Sequence, residues 1–182
     1  EVYCRKAISI DNNNDEFKKT LSLILLKKYD FENAWLYFDG RLNLSDFANR
    51  NSTLDLVRNK IPKNKNIKEN KKILVLREQG VGDEILYGTM YRDLLSKFND
   101  VKIECDERLL GLFKNSFLNI HSNKFVKLGT YSNSKDLIEN FDYVIYAGSL
   151  GKYFRKNLQS FEQEPYLKKI EEHKDNELTK IL

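Results

Sequence analysis

A short apolar run followed by a glycine-rich turn constrains the fold of this chain more than any other feature. The run, Ile-Leu-Val-Leu at 73–76, is typical of a strand buried on both faces of a parallel sheet. Gly80 and Gly82 in the next turn can take positive φ and let a ligand approach the backbone. We therefore predict a strand at 72–76 and then a helix with Asp83 as its N-cap, the first half of a βαβ unit.

The helix after this turn is predicted to be amphipathic. Leu86, Met90, Leu94 and Phe98 recur at every fourth position, which indicates one apolar stripe facing the sheet. Ligands of open α/β sheets bind at strand-to-helix turns. The turn is therefore a candidate binding site, with the carboxylate of Asp83 at the edge where substrate would lie.

Two common types of phosphate-binding turn are excluded by the residues present. A dinucleotide fingerprint needs a third glycine where this chain has Ile85. It also needs a helix N-terminus free to face pyrophosphate, and Asp83 would place a negative charge there. A Walker-A loop needs Gly-Lys-Ser/Thr, which the turn lacks.

The rest of the C-terminal part repeats the alternation of strands and helices. A glycine-containing turn with Gly148 and Ser149 follows the last strand and should lie on the same edge as Asp83. Ser149 and nearby backbone N–H groups could hold a sugar hydroxyl or a phosphate, or the loop could simply turn the chain. Lys152, Arg155 and Lys156 follow; they could pair with an anionic ligand or be ordinary surface charge, and we favour surface charge. Strands are predicted at 101–105, 124–128 and 141–147, with helices after Asp106 and at 134–140.

The first 61 residues have a helical pattern, with helices predicted at 3–10, 15–28 and 31–42. Large, small, large, small and aromatic residues follow the roughly 34-residue spacing of a tetratricopeptide repeat. A generic helical hairpin is the alternative. Residues 62–71, rich in Lys and Asn, are predicted to be an exposed linker. The residues at the repeat positions are Leu21, Ser22, Leu25, Ala34 and Phe38.

The turn also carries a family resemblance. Arg77-Glu-Gln-Gly-Val-Gly-Asp-Glu-Ile85 resembles the opening motif of bacterial glycosyltransferase domains attached to tetratricopeptide repeats. Gly82-Asp83, the apolar helix and Tyr91-Arg92 are similar to the first turn of the lipopolysaccharide heptosyltransferases. Both groups have the GT-B architecture, two Rossmann-like domains with the active site between them. The resemblance implies an α/β fold: a Rossmann-like parallel sheet, the N-terminal half of a GT-B fold, preceded by a short tetratricopeptide-type helical segment.

For the domains, the resemblance implies an acceptor-side domain at 72–168, after the helical residues 1–61 and the linker 62–71. Residues 169–182 would be the hinge to a donor-binding domain that these 182 residues do not include. The parent would move a sugar from a nucleotide-sugar donor to an acceptor hydroxyl of a protein or glycan. No cofactor is expected in this fragment, which alone should be inactive.

The resemblance also assigns roles at the turn. Asp83 aligns with the aspartate proposed as the base of the heptosyltransferases, although a role as a plain cap is an equal alternative. Glu78 and Gln79 would hydrogen-bond acceptor hydroxyls. The other substrate-binding candidates are Gly80, Gly82, Gly148 and Ser149. The second functional hypothesis is a non-catalytic, tetratricopeptide-type module that binds peptides on its helices and uses the α/β part as a scaffold.

Composition limits the remaining classes of function. The net charge is only +4, with Lys interspersed among Glu and Asp, so nucleic-acid binding is not indicated. No apolar run approaches the ~20 residues of a membrane span. Cys4 and Cys105 lie in different predicted units, which does not support a disulfide and favours the cytoplasm. His121 and His173 lack metal-ligand spacing, so no metal site is predicted.

Overall fold

Four parallel strands form one sheet in this computed structural model, which describes residues 1–63, 66–118, 122–161 and 164–169. The strand order is β3-β2-β1-β4, and all pairs are parallel. The predicted parallel sheet is therefore confirmed, and its first strand lies between the second and the fourth. The strands are β1 (Ile73–Leu76), β2 (Val101–Cys105), β3 (Phe125–Lys127) and β4 (Tyr143–Tyr146).

Helices precede, connect and follow the strands. Residues Asp39–Asn43, Arg58–Lys60, Ser122–Lys124, Ala147–Leu150 and Leu158–Ser160 form 3₁₀ turns. The α-helices are α1 (Val2–Ile10), α2 (Asp15–Lys27), α3 (Phe31–Phe38), α4 (Ser45–Arg50), α5 (Leu54–Val57), α6 (Val81–Gly88), α7 (Tyr91–Lys97), α8 (Glu107–Ser116), α9 (Lys135–Glu139) and α10 (Gly151–Phe154).

One face of the sheet packs against the helices that connect β1, β2 and β3. Ile73 and Val75 point to this face, because side chains alternate along a strand. They share an apolar core with residues of α7 and α8, among them Leu94 and Phe113, both fully buried. The apolar run of β1 is buried on both faces, as its sequence predicted.

The opposite face of the sheet is covered largely by residues that precede the predicted linker. Leu74 and Leu76 of β1 pack in one apolar cluster with Leu42, Phe47 and other side chains up to Val57. Ile138 of α9 completes this cluster. The N-terminal segment thus supplies a layer of the α/β core, and this core extends across the domain boundary that composition predicts at residue 61.

The first three helices form a packed helical unit. Leu21, Leu25 and Ala34 are its buried centre, and Cys4 and Ile8 of α1 pack against them. All five residues at the predicted repeat positions are buried. Assignment to the tetratricopeptide family stays a prediction, because a helical hairpin of another kind would bury the same small and large residues.

The amphipathic helix predicted after the turn is broken into two helices. Helix α6 ends at Gly88 and α7 begins at Tyr91. Gly88 lies against Tyr166, whose ring occupies the space that a Cβ atom would need. The break interrupts the predicted stripe: Leu86 of α6 is 62% exposed whereas Leu94 of α7 is buried. The prediction that Leu86 faces the sheet is therefore wrong.

Other boundaries differ more modestly from those predicted. The helix expected at 31–42 ends at Phe38 and continues as the 3₁₀ turn. In the predicted linker 62–71, the described residues are mostly exposed, although Pro62 is buried and Ile67 packs on the core. Apart from residue 169, the predicted hinge 169–182 lies outside the described residues, as do His121 and His173.

Candidate functional site

The strand order creates a crevice at the carboxyl edge of the sheet. The chain runs from β1 outward to β2 and β3, and then returns to the opposite side of β1 as β4. Open α/β sheets bind ligands outside the strand ends at such a reversal. Glu78 follows β1, and Gly148 and Ser149 follow β4, so the fold brings these three predicted site residues together.

The side chain of Arg41 fills this crevice. Its Nη2 donates to both carboxylate oxygens of Glu78 at 2.9 Å and to Ser149 Oγ at 2.9 Å. Glu78 also accepts from the backbone N–H of Gly148 at 2.8 Å. Arg41 and Glu78 are only 5% and 1% exposed. The three predicted residues are therefore engaged within the protein.

Asp39, which is partly exposed, and the buried Lys152 complete a charge cluster around Arg41. Asp39 accepts from Lys152 Nζ and from Ser149 Oγ, each at 2.6 Å. Burial alone would raise the pKa of Asp39, but the charges of Lys152 and Arg41 outweigh it, so the pKa lies below its usual value. The cluster contains two cations and two carboxylates. It is therefore close to neutral as a whole.

Two basic residues that were predicted as surface charges are buried instead. Lys152 is 8% exposed and Arg155 is 2% exposed. Arg155 donates to Asp93 and to the carbonyl of Thr89, both at 2.7 Å. Desolvated cations need such partners, and neither partner lies near in sequence. Lys156 is exposed, as predicted.

A second ionic network holds the glycine-rich turn. Arg77 donates to Asp106 Oδ2 at 3.0 Å and to the carbonyl of Gln79 at 2.8 Å. Its Nε lies 2.9 Å from the buried carboxylate of Glu84. Burial raises the pKa of Glu84, which accepts from the backbone N–H of Asp106 at 2.7 Å. Arg77 thereby ties the end of β1 to α6 and to the start of α8.

The strained position in this turn is Gln79, not a glycine. Gln79 has φ 61°, in the left-handed region. Gly80 has φ −92°, and no positive φ occurs at Gly82. Neither glycine therefore uses the positive φ that its missing side chain would allow. The exposed Gln79 takes that conformation while Arg77 bonds its carbonyl.

Asp83 is the third residue of α6 and not its N-cap. Gly80 occupies the cap position, and the carboxylate of Asp83 accepts from the Gly80 N–H at 3.1 Å. The capping assignment is wrong by three positions because the extended Gly80 lets the helix begin at Val81. Asp83 is half-buried. By contrast, the predicted cap of α8, Asp106, is confirmed and accepts from the Arg108 N–H at 3.0 Å.

An open polar pocket of about 220 Å³, the edge pocket, lies beside the turn. Its wall at Ser132 is fixed by Glu104, a buried carboxylate that accepts from the N–H and hydroxyl of Ser132 at 2.9 and 2.6 Å. Nothing in the sequence marks Glu104 as part of a site, because it has the position of an ordinary residue in an alternating strand. The pocket is lined by Arg50, Asn51, Ser52, Thr53, Leu76, Arg77, Glu78, Gln79, Leu128, Ser132 and Asn133.

A second pocket, the junction pocket, lies where the helical segment meets the turn and has a volume of about 290 Å³. It shares Arg50, Asn51 and Gln79 with the edge pocket, so the two are neighbours. Asp83 lines neither of them. The junction pocket is lined by Lys19, Leu23, Phe38, Arg41, Leu44, Asp46, Phe47, Arg50, Asn51 and Gln79.

The described residues carry no group of three or more His, Cys, Asp or Glu side chains that could hold a metal ion. In the same part of the chain, no helix has the length and apolar character needed to cross a membrane. No protein-family model matches the chain, and neither a curated protein nor a solved structure shows significant similarity to it.

Proposed function

We propose that this chain is the acceptor-side half of a glycosyltransferase that transfers a sugar from a nucleotide-sugar donor to an acceptor hydroxyl. One observation carries the proposal. The Glu-Gln-Gly-x-Gly-Asp motif lies at the carboxyl end of the central strand of a parallel sheet, directly beside the polar edge pocket. In this proposal the sheet is Rossmann-like, and a second domain of the parent binds the donor.

The lining of the edge pocket suits a ligand rich in hydroxyl groups. Asn51, Gln79 and Asn133 offer amide donors and acceptors, and Ser52 and Thr53 offer hydroxyls. A sugar or serine hydroxyl both donates and accepts, so it can pair with either kind of group. Gln79 keeps its predicted role as an acceptor-binding residue, because it is exposed and lines the pocket.

Asp83 is the proposed base. In an inverting transfer, Asp83 would accept the proton of the acceptor hydroxyl. Glu78 receives a different role from the predicted one. It stabilises the turn by accepting hydrogen bonds from Arg41 and from the backbone N–H of Gly148.

Saturation-transfer NMR with this chain tests the acceptor site directly. The probes are the methyl glycosides of glucose, galactose, mannose and N-acetylglucosamine, and the hydroxyl-bearing peptide Ac-Gly-Ser-Gly-NH2. We expect saturation of at least one probe, and loss of that signal in Gln79→Ala and Asn133→Ala. Gln159→Ala, a change at an exposed residue outside both pockets, is the matched control. Absence of any signal dependent on Gln79 or Asn133 would contradict the proposal.

The non-catalytic binding module is the second candidate. One observation favours it: Arg41 occupies the crevice at the strand reversal, where an α/β enzyme commonly holds its ligand. A transfer assay on the parent protein separates the two candidates. Hydrolysis or transfer of a nucleotide sugar that depends on Asp83 supports the enzyme. Partner binding that is unaffected by Asp83→Asn, without any turnover, supports the module.

A further inference from the structure

The turn after β1 keeps a strained backbone conformation at Gln79, although a glycine follows it. The φ of 61° at Gln79 lies in the left-handed region, which glycine, Asn and Asp adopt far more readily than a longer side chain does. Gly80 is extended instead, with φ −92°. Such strain persists where the surrounding structure fixes it, and it clusters at functional sites. Here it falls on a residue that lines both pockets at the sheet edge.

The guanidinium of Arg77 fixes this conformation. Its Nη2 donates to the Gln79 carbonyl at 2.8 Å, and its Nη1 donates to Asp106 Oδ2 at 3.0 Å. Its Nε lies 2.9 Å from the fully buried carboxylate of Glu84. The group is rigid and planar, so contacts from three separate parts of the chain give it one position. The carbonyl of Gln79 is held with it.

The peptide group between Gln79 and Gly80 is held at both ends. Its oxygen accepts from Arg77, and its N–H donates to the carboxylate of Asp83 at 3.1 Å. Glu78, the preceding residue, is fixed by its own buried hydrogen bonds. The Gln79 backbone therefore cannot leave the left-handed region without losing the hydrogen bond from Arg77.

The charge of Arg77 is compensated within the protein. Glu84 and Asp106 lie beside it, and Arg108 also pairs with Asp106. This network contains two cations and two carboxylates. Arg77 lines the edge pocket, but a cation between two carboxylates has little net attraction for an anionic ligand. Its contacts suit a residue that holds the turn.

The geometry points to Arg77 as a positioning residue of the edge pocket: it holds Gln79 in the left-handed conformation from which the Gln79 amide binds the acceptor. The inference rests on the proposed function for the identity of that ligand. The dependence of the Gln79 conformation on Arg77 does not rest on it. Arg77 thus affects ligand binding through Gln79 and not by its own charge.

NMR of the chain without ligand tests the first step. The amide proton and Hα of a left-handed residue lie close together, so Gln79 should give a strong intraresidue NOE. Arg77→Lys keeps the charge, but one ammonium group cannot bind all three partners of the guanidinium, and the NOE should weaken. Arg108→Lys is the matched control, because Arg108 shares Asp106 but is 73% exposed and does not bind Gln79. A strong NOE retained in folded Arg77→Lys would overturn the inference.

Chemical-shift titration tests the second step. The probes are the methyl glycosides of glucose, galactose, mannose and N-acetylglucosamine, and the peptide Ac-Gly-Ser-Gly-NH2. Arg77→Lys should weaken probe binding roughly three- to tenfold, the fold-change that one hydrogen bond is worth. In the Gln79→Ala background, the same substitution should have no further effect, because the two residues act as one unit. An equal loss in both backgrounds would show a purely structural role and overturn the inference. If no probe binds while the NOE still depends on Arg77, the acceptor site is refuted and the positioning of Gln79 is upheld.

Gln79→Asn gives a second test that does not require Arg77→Lys to fold. Asn adopts the left-handed region more readily than Gln does, so the urea midpoint of unfolding should rise. The shorter side chain should at the same time weaken binding of the probes. A midpoint at or below that of the unmodified chain would show that Gln79 is not strained, and the inference would fail.

Discussion

Arg41 Nη2 lies 2.9 Å from both carboxylate oxygens of Glu78, and the two residues come from different layers of the molecule. Arg41 belongs to the helical segment, and Glu78 follows the central strand of the sheet. The contact between Arg41 and Glu78 closes the crevice at the strand reversal. The open space at the sheet edge therefore lies in the two neighbouring pockets, which share Gln79.

Glu78→Gln should destabilise the protein by about 3 kcal/mol, because breaking a buried ion pair leaves the other charge without its partner. The free energy of unfolding in urea measures this. The control is Glu139→Gln. Glu139 pairs with Lys60 and its side chain is 53% exposed, so the free energy of unfolding should fall by less than about 1 kcal/mol. A loss at Glu78 as small as at Glu139 would mean that the buried pair contributes little.

Asp83→Asn should leave the fold intact and reduce transfer by the parent enzyme. Asn can still accept from the Gly80 N–H, and only the favourable interaction of a charge with the helix N-terminus is lost, about 0.3–1 kcal/mol. If Asp83 is the base, kcat should fall by about 10²–10⁴. Thermal unfolding and steady-state kinetics on the same sample check both parts. Near-normal kcat in a folded variant would leave Asp83 as a helix-stabilising residue only.

Gly151→Ala should destabilise the protein by about 1–3 kcal/mol, because the added methyl group would overlap ring carbons of Trp35. Trp35 also donates from Nε1 to the carbonyl of Arg155 at 2.5 Å. It is the only tryptophan of the chain, so its fluorescence reports this contact directly. We expect the emission maximum of Trp35 to shift in the Gly151→Ala variant, and its urea midpoint of unfolding to be lower than that of the unmodified protein.

Gly82→Ala is the matched control for this substitution. Gly82 is exposed, has no heavy atom within 4 Å of an added Cβ and lies in the first turn of α6. Its replacement should stabilise the protein slightly, by less than about 1 kcal/mol. A destabilisation equal to that of Gly151→Ala would show that glycine is required at both positions for reasons of backbone conformation.

Arg108→Ala should weaken the protein at neutral pH but not in acid. The side chain and backbone N–H of Arg108 both donate to Asp106, and these bonds hold the pKa of Asp106 well below its ordinary value. A lowered folded pKa gives stability that is present above the unfolded pKa, about 3.9. That stability is lost as the pH falls toward the folded pKa.

The urea midpoints of the two proteins should therefore differ at pH 7, and the difference should shrink only as the pH falls below the unfolded pKa toward the lowered folded pKa of Asp106. Carbon-detected NMR should show the Asp106 carboxyl titrating at a higher pH in the variant. Lys156→Ala, at another exposed cation, is the control and should leave the Asp106 titration unchanged. A constant difference between Arg108→Ala and the unmodified protein at every pH would contradict this explanation.

The parts of the fold that follow from local sequence were predictable. The run at 73–76 identifies a buried strand on its own, because nothing polar interrupts it, and Asp106 identifies a helix start at the observed residue. The break at Gly88 was not predictable. It depends on Tyr166, which reaches the helix from a distant part of the chain.

The sequence predicted which residues meet at the sheet edge, but it did not predict the side chain that they bind. Glu78, Gly148 and Ser149 do meet at the sheet edge, as the strand pattern implied. Their partner Arg41 lies 37 residues before Glu78, in a segment whose sequence pattern predicts helices and no binding site. No spacing rule connects them, because the contact arises from how the helical segment packs on the sheet.

Since residues 42–57 form one face of the core of the sheet, the stretch at 62–71, whose described residues are mostly exposed, does not separate two independently stable units. Removing the first 61 residues would uncover Leu74 and Leu76 and leave Glu78 without Arg41. Unfolding of residues 42–57 would therefore open the core of the sheet as well. The two parts should melt in one cooperative transition, and a protease cut within 62–71 should leave the two pieces associated.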